Sequence, residues 1–409
     1  MKKILFVFAI SSIFTFGCTV IDDVKTGNDG TGPILLSAEL QKRVAQDNEF
    51  ALDMLRNTIE VANESNVFIS PLSVSIALGM ARNGADGTTR TEMETALRMS
   101  GLSADKINEY YRIMLDSLPT ADSNTTLKIA NSIWYRNGFQ IKQPFLDINA
   151  DFFKAEIRSL DFSATGTVDT INNWCALKTN NLIKDVIRQM PDLAMMYLIN
   201  AVYFKGQWTY QFDKKQTYQT NFIDELGKLT EVNMMNRTDT FAYFRDTDAE
   251  YLDLPYGNGA FSMTVILPCT GKTTGDVLDN LSTEHLNTTL SNLKQQKVEV
   301  SIPRFKVECN YELSTPLKAM GMKKAFEETA DFSKICDEVL FISSIIHKTY
   351  VEVTEEGTEA AAVTVVEFET TSMPDYPIFF ANKPFIFLIR EKGTGVILFA
   401  GKMGAVEKY

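Results

Sequence analysis

Histidine is nearly missing from this sequence: 409 residues contain two, His285 and His347. No Cys-x-x-Cys pair occurs, so the sequence offers no zinc site of the usual cysteine and histidine composition. No long basic run offsets the formal charge of −12, which leaves nucleic-acid binding without an electrostatic basis. The Gly-x-Ser-x-Gly elbow of many hydrolases is absent. Gly271-Lys272-Thr273 ends like a phosphate loop, but the position five residues before Gly271, where the cradle needs glycine, is Ile266. After Phe16 no apolar run is long enough to cross a bilayer. No motif sets a serine or cysteine nucleophile beside His347, and its neighbours Ile345, Ile346 and Tyr350 suit a buried, hydrogen-bonded ring. These absences argue against an enzyme and against a metal or other cofactor.

What is present is an ordinary globular composition, 45% hydrophobic and 22% charged. It is preceded by an address. Met1-Lys2-Lys3 is followed by the apolar stretch Ile4 to Phe16 and then by Gly17-Cys18, the pattern of a secretory signal. A cysteine directly after a small residue there resembles the bacterial lipoprotein signal, with residues 1–17 removed and lipid carried on Cys18. Residues 18–34 then form a flexible, Gly- and Asp-rich tether with little to bury. The alternative is secretion without lipid. Residues 35–409 read as one packed domain, exported and held to the cell envelope on its periplasmic or outer side. Its cysteines, Cys175, Cys269, Cys309 and Cys336, are far apart and are expected to be buried free thiols.

Within the domain, three- and four-residue apolar spacing predicts helices over Glu39–Glu60, Leu72–Arg82 and Asp169–Arg188. Runs rich in Val, Ile, Phe and Tyr predict strands at Thr126–Tyr135, Met195–Phe204, Ala260–Leu267, Val298–Phe305, Thr349–Thr354, Pro384–Arg390 and Val396–Ala400. Helices gather early and strands late, so the fold class is α+β.

One segment stands out. Between Thr358 and Thr370 the even positions are Thr358, Ala360, Ala362, Thr364, Val366, Phe368 and Thr370, without a charge. The odd positions hold Glu359, Glu367 and Glu369, every charge there is. That segregation is what a strand with one buried face requires. The small residues at its start would slide between packed strands without clashes. A plain strand running into a turn at Pro374 and Pro377 is the simpler reading of the segment taken alone.

The rest of the chain changes that. Glu355-Glu356-Gly357-Thr358-Glu359-Ala360-Ala361-Ala362, with Thr364 beyond it, resembles the hinge of the serpin reactive-centre loop. Asn66 to Leu78, Gly84 to Met93, Asn200 to Trp208, Ile302-Pro303-Arg304-Phe305, Asn382 to Ile389 and Gly401-Lys402 resemble further serpin motifs, in order. The resemblance runs from about Leu36 to Met403 and implies a single domain of three sheets and eight or nine helices. It implies an exposed reactive-centre loop at about 355–381, and a buried polar cluster of Ser70, Ser73, Asn200 and His347, called the shutter. Trp208 is implied at the top of the central sheet, the breach, where the loop inserts.

It also implies a monomeric protease inhibitor that is consumed in one covalent event and needs no cofactor. Serpin loop insertion is itself a standing example of strand addition. Counting from Gly357 by the spacing of the family it resembles implies a scissile bond at Thr371–Ser372; counting back from Asn382 gives Met373–Pro374. The first is favoured, because proline after the scissile bond suits few serine proteases, although a slip to Glu369 or Thr370 would change the target class. Thr371 points to an elastase-like serine protease or a papain-like cysteine protease. The alternatives are a non-inhibitory serpin, acting as a carrier or surface-binding lipoprotein, and a lipoprotein hydrolase.

Overall fold

A computed structural model describes residues 33–358 and 375–407. The first half is helical. Ser37 caps α1 (Ala38–Val61), accepting from the Leu40 amide, and β1 (Val67–Ile69) follows. Ser70, with Pro71 after it, starts α2 (Pro71–Arg82), as a hydroxyl cap and a first-turn proline should. Then come α3 (Gly87–Ala96), α4 (Ala104–Ser117), β2 (Thr125–Arg136), α5 (Gln143–Phe153), β3 (Glu156–Leu160) and α6 (Thr167–Lys178).

The second half is mostly strand: β4 (Met196–Gly206), β5 (Tyr218–Ile223), β6 (Leu229–Arg245), β7 (Ala249–Tyr256) and β8 (Phe261–Pro268). Two short helices, α7 (Thr274–Asn280) and α8 (Thr283–Asn292), lead to β9 (Lys294–Pro303), β10 (Phe305–Glu312) and α9 (Ser314–Ala319). The chain closes with β11 (Ile346–Thr354), β12 (Gly357–Thr358), β13 (Ile378–Phe380), β14 (Phe385–Glu391) and β15 (Ile397–Met403).

Among the described residues there are nine α-helices and three sheets. The largest runs β1-β15-β14-β8-β7-β6-β9-β13, with β5 paired to β6. The others are β3-β2-β4 and β10-β11-β12. Strand β4 is covered on both faces. Val202 and Phe204 join the main core, while Ile199 and Ala201 pack with Trp134 and with Ile171 and Trp174 of α6. In β11, His347, Thr349, Val351 and Val353 turn inward and the residues between them outward. All four cysteines of the domain are buried and free, and burial pushes the Cys175 thiol up to about 12.

Two expectations need correction. The helix predicted over Asp169–Arg188 stops at Lys178. Thr179 turns its hydroxyl onto the Cys175 carbonyl and receives the Ile183 amide, and Asn180 and Asn181 take left-handed backbone, ending the coil. Ile187 is apolar for a different reason: it packs with Trp134, Ile199 and Ala201 of the sheet, and Asn172 holds its backbone at both groups. The strand predicted over Val298–Phe305 is two strands in two sheets. The chain changes sheet at Arg304, whose amide donates to the Asn233 carbonyl.

Candidate functional site

Two constellations lie along the line between β4 and β11. Deep in the molecule, the α2 cap residue Ser70 donates its amide to His347 Nε2 at 2.9 Å and its hydroxyl to the Leu398 carbonyl at 2.8 Å. In its neutral form His347 therefore carries its hydrogen on Nδ1. Full burial without a charge partner holds that imidazole down at about 4. Ser73 donates its hydroxyl to Asn200 Oδ1, and Asn200 donates to Asn131 Oδ1 at 2.7 Å. Asn131 in turn donates to the Phe153 carbonyl at 2.6 Å. The four residues named from the sequence, Ser70, Ser73, Asn200 and His347, thus meet beneath the two strands. Asn131 completes the chain and was not anticipated, although a buried amide in the apolar run of β2 is a signal for it.

The second constellation sits where β4 ends and β11 turns back. Trp208 donates its amide to the Glu356 carbonyl at 2.9 Å and its indole N–H to the Thr354 carbonyl at 2.8 Å. Its ring stacks on Tyr256 at 4.4 Å with planes 14° apart. Glu355 is buried and accepts from Arg304 at 2.6 and 2.8 Å and from the Thr217 hydroxyl at 2.5 Å. Half-exposed Glu356 pairs with Lys214 at 2.6 Å. Gly357 has φ +143°, and a Cβ there would lie 2.1 Å from the Gly206 carbonyl oxygen, so only glycine fits. The Thr358 hydroxyl lies 2.9 Å from that of Tyr256.

The backbone explains the crowding. Gly357 and Thr358 pair antiparallel with Thr354 and Val353 of β11, and Gly357 also bridges Gln207, just past β4. Strand β12 is therefore wedged between the ends of β11 and β4. Below it, no ladder joins β4 to β11 among the described residues. The structure brings Glu355, Glu356, Gly357 and Thr358 to Trp208, together with Arg304, Thr217, Lys214 and Tyr256. Arg304 stands in a motif already singled out; Thr217, Lys214 and Tyr256 carry no such mark, because only the folded chain brings them together. Glu359, Ala360, Ala361, Ala362, Thr364, Thr371, Ser372, Met373, Pro374 and Cys18 lie outside the described residues. Among the described residues no cluster of His, Cys, Asp and Glu forms a metal site, and no helix is long and apolar enough to cross a membrane.

A split sheet whose two halves are wedged open by a glycine-hinged strand, over a buried Ser–Asn–His cluster, defines a class of protein that comparison makes explicit. Residues 45–405 match the family model described as Serpin (serine protease inhibitor). An uncharacterised serpin-like protein of Thermococcus kodakarensis is 35% identical over 363 residues, 87% of this chain and 84% of that protein. The thermophilic serpin tengpin in its native state superposes with a TM-score of 0.82 at 33% identity, covering 91% of this chain and 95% of that one. Thyroxine-binding globulin in complex with thyroxine gives 0.80 at 28% identity, covering 90% and 100%. The chain belongs to the serpin family. Members are generally protease inhibitors rather than catalysts, whereas thyroxine-binding globulin is described in complex with thyroxine.

Proposed function

We propose that this serpin traps proteases covalently, by inserting its cleaved loop as a strand between β4 and β11. The observation that carries the reading is β12, which already holds the first two positions of such a strand. Its register can be continued. Pairing of Thr358 with Val353 on one side and of Gly357 with Gln207 on the other brings Thr364 opposite both His347 and Asn200. Thr364 would then offer a hydroxyl to the polar cluster. Glu359 would face Lys205 on the outer side, and the uncharged even positions would face the core.

The chemistry belongs to the protease. Its serine oxygen attacks the Thr371 carbonyl carbon, the C–N bond to Ser372 breaks, the Ser372 amine takes the proton, and an ester joins residue 371 to the enzyme. A papain-like cysteine protease would form the thioester. Insertion then adds roughly ten backbone hydrogen bonds at about 1 kcal/mol each, with burial of Val366 and Phe368 at about 1.5–3 kcal/mol each. Ordering entropy offsets part of this. The remainder drags the tethered enzyme along the sheet and distorts its oxyanion hole, so the ester is not hydrolysed.

The non-inhibitory reading draws on the likeness to thyroxine-binding globulin. Against it, the inserting face from Thr358 to Phe368 carries no charge and no proline. Localisation completes the proposal: residues 1–17 direct export, Cys18 carries lipid, residues 18–34 tether the domain 35–409, and the target is an elastase-like or papain-like protease. Incubation with pancreatic elastase and, separately, with papain tests the inhibitory reading. A band at the summed mass, stable to boiling in detergent, supports it, and mass spectrometry of the C-terminal peptide names the scissile bond. Clean loop cleavage that leaves both proteases fully active would favour the carrier. Cys18→Ala should abolish incorporation of labelled fatty acid.

A further inference from the structure

The Tyr256 ring has almost no freedom. Trp208 stacks on one face, Phe204 meets it edge-on at 5.1 Å, and a Cβ on Gly206 would fall 2.7 Å from the ring. Its hydroxyl is therefore preset in a wholly buried place, and among the described residues its hydrogen-bond partner is Thr358. Thr358 is itself 5% exposed and sits on the inner side of β12. If the hinge withdrew, the tyrosine could not turn to follow. Its hydroxyl would remain among aromatic rings with no partner, which is the costly state for a buried polar group.

We propose that Tyr256 is a positioning residue for loop insertion: its pinned hydroxyl latches the hydroxyl of residue 358 and keeps the first two residues of the incoming strand seated before any protease arrives. The inference rests on the insertion reading above and adds to it a residue on β7 that selects the side chain at 358. Serine or threonine holds the seat; valine, equal in shape to threonine, does not.

The test is a double-mutant cycle on the whole protein, with Tyr256→Phe, Thr358→Val and the pair, read by hydrogen exchange in the peptide covering residues 352–358. Tyr256→Phe keeps the ring and its stack on Trp208, so the melting temperature of the body serves as the control for folding. Each single change should raise exchange about tenfold, the double change should raise it no further, and Thr358→Ser should behave as the parent. Unchanged exchange in Tyr256→Phe, or effects of the two single changes that multiply in the pair, would overturn the latch. No protease enters this measurement. Failure to trap elastase or papain would count against the inhibitory reading alone, and a flat exchange result against the latch alone.

Discussion

His347 shows how one buried ring ties acidity to stability. Its Nε2 accepts the Ser70 amide, so a protonated ring would set one N–H against another. Burial holds the folded-state value near 4, against about 6.5 for an unfolded chain. Between those values the unfolded chain binds a proton that the folded one refuses, so stability falls as pH falls from 6.5 to 4. The loss should be about 1.4 kcal/mol per pH unit, roughly 3 kcal/mol in all. Urea unfolding across this range should show that slope in the parent and lose it in His347→Asn. Gly357 is the second single-residue test. Alanine would drive a Cβ into the Gly206 carbonyl, backbone against backbone, with no flexible side chain to give way. Gly357→Ala should unseat β12, and exchange over 352–358 should approach that of an open loop while α1 to α5 stay protected. That a glycine was needed here is legible in the hinge motif. Which atom excludes every other residue is not, because Gly206 is remote in sequence and near only in space.

At the scale of elements, the Arg304–Glu355 pair fastens the turn after β11 to the point where β9 passes into β10. Both side chains are buried, at 8% and 1% exposure, so each depends on the other. Arg304→Met should leave a carboxylate stranded and cost about 3–5 kcal/mol in urea unfolding, whereas Arg304→Met with Glu355→Gln should recover much of it. The strands around this junction were legible where alternation or a buried apolar run was continuous, as in β4, β8, β11, β14 and β15. Strand β6 was not. Its 17 residues pair with β5 over 229–234, with β9 over 234–243 and with β7 over 242–245, so no single face stays buried and no clean period appears. The overextended helix after α6 failed for the converse reason. The apolar residues between Thr179 and Arg188 follow a helical spacing, but Val186 and Ile187 pack with Trp134, Ile199 and Ala201 of the sheet, and side-chain bonds from Thr179 and Asn172 outweigh the coil.

For the whole molecule, the uncut state is a compromise, since two half-sheets stand apart with only β12 between their ends among the described residues. Cutting the loop with a protease that is not trapped should let insertion run to completion. A gain on the order of 10 kcal/mol in a domain of this size should raise the melting temperature by roughly 10–20 °C, read by calorimetry before and after nicking. Thr358→Arg should show no such rise and should be cleaved as a plain substrate, because insertion would bury a charge beside Tyr256. The family motifs foretold this arrangement in outline; the merging of so many strands into one sheet through β6 was hidden in the sequence. That sheet has a further consequence. Strand β14 lies between β15 and β8, β15 lies between β14 and β1, and all seven residues of β14 are buried. A cut anywhere in residues 369–374 severs these strands from the rest of the backbone without loosening them. The nicked protein should pass through a sizing column as one particle and part into two pieces only in detergent, so the broken backbone is silent to any method that weighs the folded molecule.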